Sequence, residues 1–147
     1  MITVYFDGAC EPINPGGTAS YGVIIKKDGR EIYRESKIVC TGPAASNNVA
    51  EYNGLIAALR WLYKDYRNEK IECFGDSKLV IEQMNGNWSI KKGLYVEHAL
   101  KCQGAIQHFS NISLHWVPRE KNIADDISKG ALRTCGIKFR IQPEGAK

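Results

Sequence analysis

Residues 2–8 read ITVYFDG and residues 71–77 read IECFGDS. In the first stretch Ile2, Val4 and Phe6 alternate with Thr3, Tyr5 and Asp7, the period of two expected of a half-buried strand. Asp7 stands at the end of that run, just before Gly8. The second stretch is a short apolar run over residues 71–74 that stops at Gly75-Asp76-Ser77. Two strands that each close on an aspartate decide the reading. In open α/β sheets, ligands gather beyond the C-terminal ends of parallel neighbours, where the strand order reverses.

The segments around these two stretches supply the rest of the sheet. Turn-forming Pro12 and Asn14-Pro15-Gly16-Gly17 lead into a second strand over residues 21–26. Asp28-Gly29 is a hairpin signal, a third strand covers residues 31–39, and Gly42-Pro43 closes it. Ser46-Asn47-Asn48 then provides a helix N-cap. Val49, Tyr52, Leu55, Ile56, Leu59 and Leu62 follow with helical spacing to about Tyr66. After Asp76 a helix with Leu79, Val80 and Met84 runs to Asn85-Gly86, and a further helix is expected over residues 94–109. Residues 112–117 alternate as a fifth strand, Pro118 ends it, and a last helix carries Ile127, Ala131 and Leu132. Three hairpin-joined strands followed by crossovers predict an α/β fold: a five-stranded mixed sheet, three strands antiparallel and two parallel, with helices on both faces. The first and fourth strands would be parallel central neighbours, with Asp7 and Asp76 at their ends.

A length of 147 residues suits one domain over residues 1–147, with a C-terminal tail at 136–147 of unassigned structure and fraying expected at Gly145-Ala146-Lys147. The 44% hydrophobic and 24% charged content is that of a soluble globular protein. A net charge of +4 leans toward a polyanionic partner. No secretory leader pattern and no apolar run of about 20 residues is present, so a soluble, cytoplasmic protein without membrane attachment is expected. Cys10, Cys40, Cys73, Cys102 and Cys135 include no CxxC pair, which argues against a zinc site and for mostly reduced, buried thiols. His98, His108 and His115 lie in helical or strand runs and read as structural.

The chemistry concentrates in Asp7, Glu51 of NNVAEY, Asp76 of FGDSK and Asp125 of NIADDIS. Widely spaced carboxylates at element ends suit a hard divalent cation such as Mg²⁺. Each residue also has a plain reading. Asp7 suits a turn, Glu51 a helix N-terminus, and Asp76 an N-cap.

Taken together, FDGACEPINPGG, SNNVAEYNGL, GDSKLVIEQMNG and WVPREKNIADDIS resemble type 1 ribonuclease H in its compact archaeal and bacterial forms, from about Ile2 to Ala131. The resemblance implies a ribonuclease H-like fold and a metal-dependent endonuclease that hydrolyses the RNA strand of an RNA–DNA hybrid, leaving 5′-phosphate and 3′-hydroxyl ends. It implies two Mg²⁺ or Mn²⁺ ions roughly 4 Å apart. Asp7 would bridge them, Glu51 and Asp76 would complete one shell, and Asp125 would hold the other ion and position the water. Counting forward from Asn122 by the family pattern selects Asp126 instead, whereas the register Ala-Asp-x-Ile-Ser selects Asp125, which is favoured because a loop tolerates a deletion better than a helix does.

By the same resemblance, Gly8, Cys10, Asn14, Asn47 and Asn48 fall at or near substrate-contacting positions, where amides and backbone meet the RNA minor groove and its 2′-hydroxyls. Turn chemistry for Asn14, capping for Asn47 and a buried filler for Cys10 are the alternatives. Two departures stand out. Relatives often carry a histidine on the loop before the last helix; Arg119 is the substitute here, suited to a phosphate. The basic protrusion of some relatives is reduced to residues 87–92, where Trp88, Lys91 and Lys92 would hold the DNA strand, the alternative being an ordinary helix–helix connection with solvated lysines. A monomer is expected, with double-stranded RNA left open as a second duplex. The rival reading is a nucleic-acid-binding module of the same fold without catalysis, which would normally have lost one of the carboxylates.

Overall fold

The computed structural model describes residues 1–140. One sheet in the order β3-β2-β1-β4-β5 forms its centre. It comprises β1 (Ile2–Glu11), β2 (Thr18–Lys27), β3 (Arg30–Thr41), β4 (Lys70–Gly75) and β5 (Asn111–Trp116). The first three strands are antiparallel, while β1 with β4 and β4 with β5 are parallel. The mixed sheet and the central β1–β4 pair are those expected from the sequence. Asp28 and Gly29 both take positive φ, 50° and 82°, at the β2–β3 hairpin, the backbone of a type I′ turn.

Among the described residues there are four α-helices, α1 (Asn47–Tyr66), α2 (Lys78–Met84), α3 (Val96–Ile106) and α4 (Asp125–Thr134), of which α1, α2 and α4 pack on the sheet and α3 packs on α1 and α2. The Ser46 hydroxyl accepts the Val49 amide and caps α1, and Ser77 does the same for α2 through the Val80 amide. Ser77, rather than Asp76, is therefore the cap of α2. The alternating Ile2, Val4 and Phe6 are fully buried with Val23, Ile25, Leu55, Leu59 and Leu62 in the main core, beneath α1. The opposite face of β1 to β3 is covered by α4. Among the described residues no helix is long and apolar enough to cross a membrane. Cys10, Cys73 and Cys102 are buried, Cys40 is half-buried and Cys135 is exposed, all as free thiols.

Several boundaries differ from the sequence reading. β1 does not end at Asp7 but continues to Glu11, because Gly8–Glu11 stay paired with Thr18–Tyr21 of β2 after the parallel ladder to β4 has stopped at Tyr5 and Phe74. β2 and β3 are longer for the same reason: their ends pair with each other past the reach of alternation, Thr18 against Thr41 and Lys27 against Arg30. α3 is shorter than expected, since Gly93 at φ 140° breaks the backbone before it and the helix caps at Gln107. Residues 119–121 form a short 3₁₀ turn with no counterpart in the sequence reading. The expected fraying at 145–147 lies outside the described residues.

Two glycines set how closely the helices approach. A Cβ on Gly8 would lie 2.5 Å from the Glu51 backbone nitrogen, and one on Gly22 would lie 2.3 Å from that of Ser128. Both are contacts with backbone that has nowhere to move. Gly22→Ala should therefore lower stability by about 1–3 kcal/mol, the usual cost of forcing extra volume into a packed interior. Chemical denaturation would show it as a lower midpoint; an unchanged midpoint would mean that α4 can shift at no cost.

Candidate active site

Four elements bring the sequence-selected acids together. Asp7 comes from β1 beyond its last partner in β4, and Glu51 from the first turns of α1, which the bare Gly8 backbone allows to touch the strand. Asp76 sits in the β4–α2 turn and Asp125 opens α4. Asp7, Glu51 and Asp76 each offer a carboxylate oxygen, and these oxygens all lie within 4.8 Å of one another. Asp7 is only 4% exposed and Glu51 5%.

That crowding shows in the proton affinities. Burial pushes the Asp7 carboxyl up to about 7, opposed by a hydrogen bond from Glu51 and reinforced by the charge of Asp76. Glu51 is raised well above its ordinary value, first by burial and then by the Asp7 charge. Asp76 is also raised by burial, against a lowering hydrogen bond from Asn122. The Glu51 Oε2 atom is buried without a hydrogen-bond partner, an arrangement that costs free energy unless something else engages the oxygen. No ion pair among the described residues reaches Asp7 or Glu51. A nest of hard oxygen donors short of a positive charge fits a divalent cation.

Asp125 stands in a different environment. It is a hydrogen-bonding neighbour of Asp7 and pairs with Arg119 Nε at 3.3 Å and Lys129 Nζ at 3.5 Å. Its carboxyl is held below the ordinary range despite burial, chiefly through Asp7 and these cations. Asp126 also lines the cleft, but its carboxylate is 78% exposed and bound to Arg133 at 2.8 Å. The geometry thus sets Asp125, and not Asp126, against the other three acids. Ser128 adds a hydroxyl that donates to the Asp125 carbonyl at 2.6 Å and lies 3.4 Å from Asp7 Oδ2.

The acids line a cleft of about 820 Å³ together with the basic residues Arg119, Lys129, Arg133 and Arg140. Arg140 binds Glu11 at 3.1 Å and the Cys10 carbonyl at 2.8 Å, drawing residues after α4 against the end of β1.

The remaining predicted positions divide. Asn14 accepts the Asn47 amide at 3.0 Å, tying the loop after β1 to the start of α1. Asn47 lines the cleft and its Oδ1 is buried and unpartnered, while Asn48 is half-buried beside it. Gly8 lines the cleft too, but the close approach of α1 already requires a glycine there. The Cys10 side chain is fully buried and its thiol donates to the Ile13 carbonyl, the environment of the buried-filler alternative. Trp88, Lys91 and Lys92 are exposed on the connection between α2 and α3, which Gln83 anchors through the Ser89 carbonyl at 3.1 Å; none of them lines the cleft.

The sequence reading missed three groups. Lys129 could have been found, since it lies four residues beyond Asp125 on one helix. Asn122 was visible only as a landmark for counting. Lys78, over the Trp116 ring at 4.9 Å, and Trp116, which donates to the Asp76 carbonyl at 3.1 Å, meet through tertiary structure alone.

Known proteins resemble the chain in sequence and in shape. A reverse transcriptase-like family profile matches residues 5–131. The bifunctional protein Rv2228c of Mycobacterium tuberculosis is 38% identical over 136 residues, 91% of this chain and 36% of that protein. The chain therefore spans only about a third of the length of that relative. The crystal structure of RNase H1 from the halophilic archaeon Halobacterium salinarum superposes with a TM-score of 0.78 at 31% identity, covering 90% of this chain and 98% of that one. LC11-RNase H1, solved in complex with an RNA/DNA hybrid, gives a TM-score of 0.80 at 28% identity over 92% of this chain and 99% of that one.

The raised Asp7 carboxyl has a sign that can be tested. A group at about 7 in the folded state, against an ordinary 3.8, contributes stability that is fully present below 3.8 and lost as pH rises through 7. In EDTA, Asp7→Asn should therefore melt close to wild type near pH 4 and above it at neutral pH. Melting curves across this range check it; equal wild-type and variant curves at pH 7 would refute the buried-charge account.

Proposed function

The chain belongs to the type 1 ribonuclease H family, and on that premise we propose that it is a divalent-metal-dependent endonuclease that hydrolyses the RNA strand of RNA–DNA hybrids. The observation that carries the reading is the cluster of Asp7, Glu51 and Asp76 oxygens within 4.8 Å, holding a buried oxygen of Glu51 with no hydrogen-bond partner among the described residues. A catalytically silent binding module would have no reason to keep mutually repelling buried carboxylates.

In this proposal Asp7, Glu51, Asp76 and Asp125 would hold two Mg²⁺ or Mn²⁺ ions between them. The ions would supply an activated water and neutralise charge at the scissile phosphate. The chain's own groups do the rest. Asp125 orients the attacking water. Arg119, two-thirds exposed and paired with Asp125, swings its planar fork to a phosphate oxygen. The products carry 5′-phosphate and 3′-hydroxyl ends.

Asn14, Asn47 and Asn48, at the junction of the β1–β2 loop with α1, face the RNA minor groove, with the Gly8 backbone behind them. Trp88, Lys91 and Lys92 meet the DNA strand away from the cleft, through contacts with sugar and phosphate that carry no sequence information. Cleavage should accordingly depend little on base sequence, and binding should weaken as salt rises. Residues 1–147 act as one catalytic unit, as a monomer.

Cleavage of an end-labelled RNA–DNA hybrid in Mg²⁺, Mn²⁺ or EDTA tests this. The RNA strand alone should be cut, with either metal and not in EDTA. Asp7→Asn and Asp125→Asn should fall to background, whereas Asp126→Asn should retain most activity. Folded wild type that binds the hybrid without cutting it in either metal would establish the silent module instead.

A further inference from the structure

Asn122 is 4% exposed and every polar atom it carries is engaged. Its side-chain nitrogen donates one hydrogen to the Phe6 carbonyl at 2.9 Å and the other to Asp76 Oδ2 at 3.1 Å. Its side-chain oxygen accepts the Ala124 amide at 3.1 Å. The backbone amide donates to the Arg119 carbonyl at 3.0 Å, and the backbone carbonyl accepts the Asp125 amide at 3.1 Å. An amide group has two donors and one acceptor face to offer. Here they meet a carbonyl, a carboxylate and an N–H, so its orientation is fixed by its neighbours.

The partners matter more than their number. Phe6 immediately precedes Asp7, and its carbonyl lies just past the last β1–β4 partners, Tyr5 and Phe74, where the parallel ladder has ended. Asn122 fills the place of the missing strand. The same nitrogen holds the Asp76 carboxylate, while the acceptor and the backbone bonds fix the turn that delivers Asp125 to α4. One side chain therefore links the segments that carry Asp7, Asp76 and Asp125.

We propose that Asn122 is a positioning residue that sets the spacing of these three carboxylates for the divalent ions, acting through Asp76 and the Phe6 carbonyl without touching metal or substrate. The inference rests on the metal-dependent reading above. Partners that orient metal ligands typically contribute 10–100-fold to metal affinity, and that is the range expected here.

The test is Mn²⁺ binding followed by water-proton relaxation, without nucleic acid, on wild type, Asn122→Ala and Asn122→Ser. Serine can still accept the Ala124 amide across two residues but is too short to reach both Phe6 and Asp76. Leu62→Ala, which opens the core far from the acids, serves as a control destabilised without any change at the site. Both Asn122 variants should bind Mn²⁺ about 10–100-fold more weakly, with the Leu62→Ala affinity unchanged. Their loss of kcat should be relieved by raising Mg²⁺, with KM for the hybrid unaltered. If the Asn122→Ala protein does not fold, the serine variant alone decides. Wild-type affinity in the Asn122 variants, or an equal loss in Leu62→Ala, would overturn the positioning role. Wild type that binds no Mn²⁺ would instead overturn the metal-dependent reading on which it rests.

Discussion

The structure depends on two places where helix backbone touches strand backbone. At Gly8 the start of α1 meets β1, and at Gly22 the start of α4 meets β2, each with no room for a methyl group. Gly22 is the partner of Asp7 across the β1–β2 ladder, and Gly8 follows Asp7 directly. The two contacts therefore clamp the strand from opposite faces on either side of one carboxylate. Glu51 and Asp125 come from near the starts of these two helices, so the close approach at the glycines carries both acids toward Asp7. The apolar core under α1 supplies the adhesion, and the glycines convert it into proximity of like charges.

The site is electrically lopsided. Asp7 and Glu51 are buried with no cation, whereas Asp125 sits between Arg119 and Lys129. The proton affinities follow, raised in the first pair and lowered in the second. Lys129 and Arg133 of α4 and Arg140 beyond it line the same cleft as this acid nest. A polyanion entering there meets both attraction and a repulsion that a bound cation would reverse.

Most of the sheet and three of its acids were legible in the sequence because their signals are local. Alternation over Ile2–Phe6, the helical period from Val49 to Leu62 and the apolar run before Gly75 placed Asp7 on the first strand, Glu51 near the start of the long helix and Asp76 after the fourth strand. Asp76 does lie at a junction, while Asp7 lies within β1 rather than at its end. The extension of β1 to Glu11 was not legible, because residues 8–11 continue as a strand through pairing with one neighbour only, and loss of the other is a tertiary fact. The burial of Cys10 follows from packing against Ala19, Ala45 and Ala50, residues from three other places in the chain. Asn122 looked like loop punctuation, since its partners Phe6 and Asp76 lie far away in sequence. The choice between Asp125 and Asp126 was arguable from helix register, and the structure sets Asp125 beside Asp7 because the register of α4 is pinned where Ser128 meets Gly22.

The strand order has a consequence for synthesis. Of these five strands, the one made first is the central one of the finished sheet. β2 and β3 follow at once and close one side as hairpins, but the other edge of β1 waits for Lys70–Gly75, and β4 in turn waits for Asn111–Trp116. Throughout that interval the growing chain carries an open apolar strand edge, the kind of surface on which unfinished chains associate. The long helix α1 is made during the same interval and packs on the three-strand sheet. It is positioned to shield the apolar face of the nascent intermediate while leaving its edge free for the strand still to come.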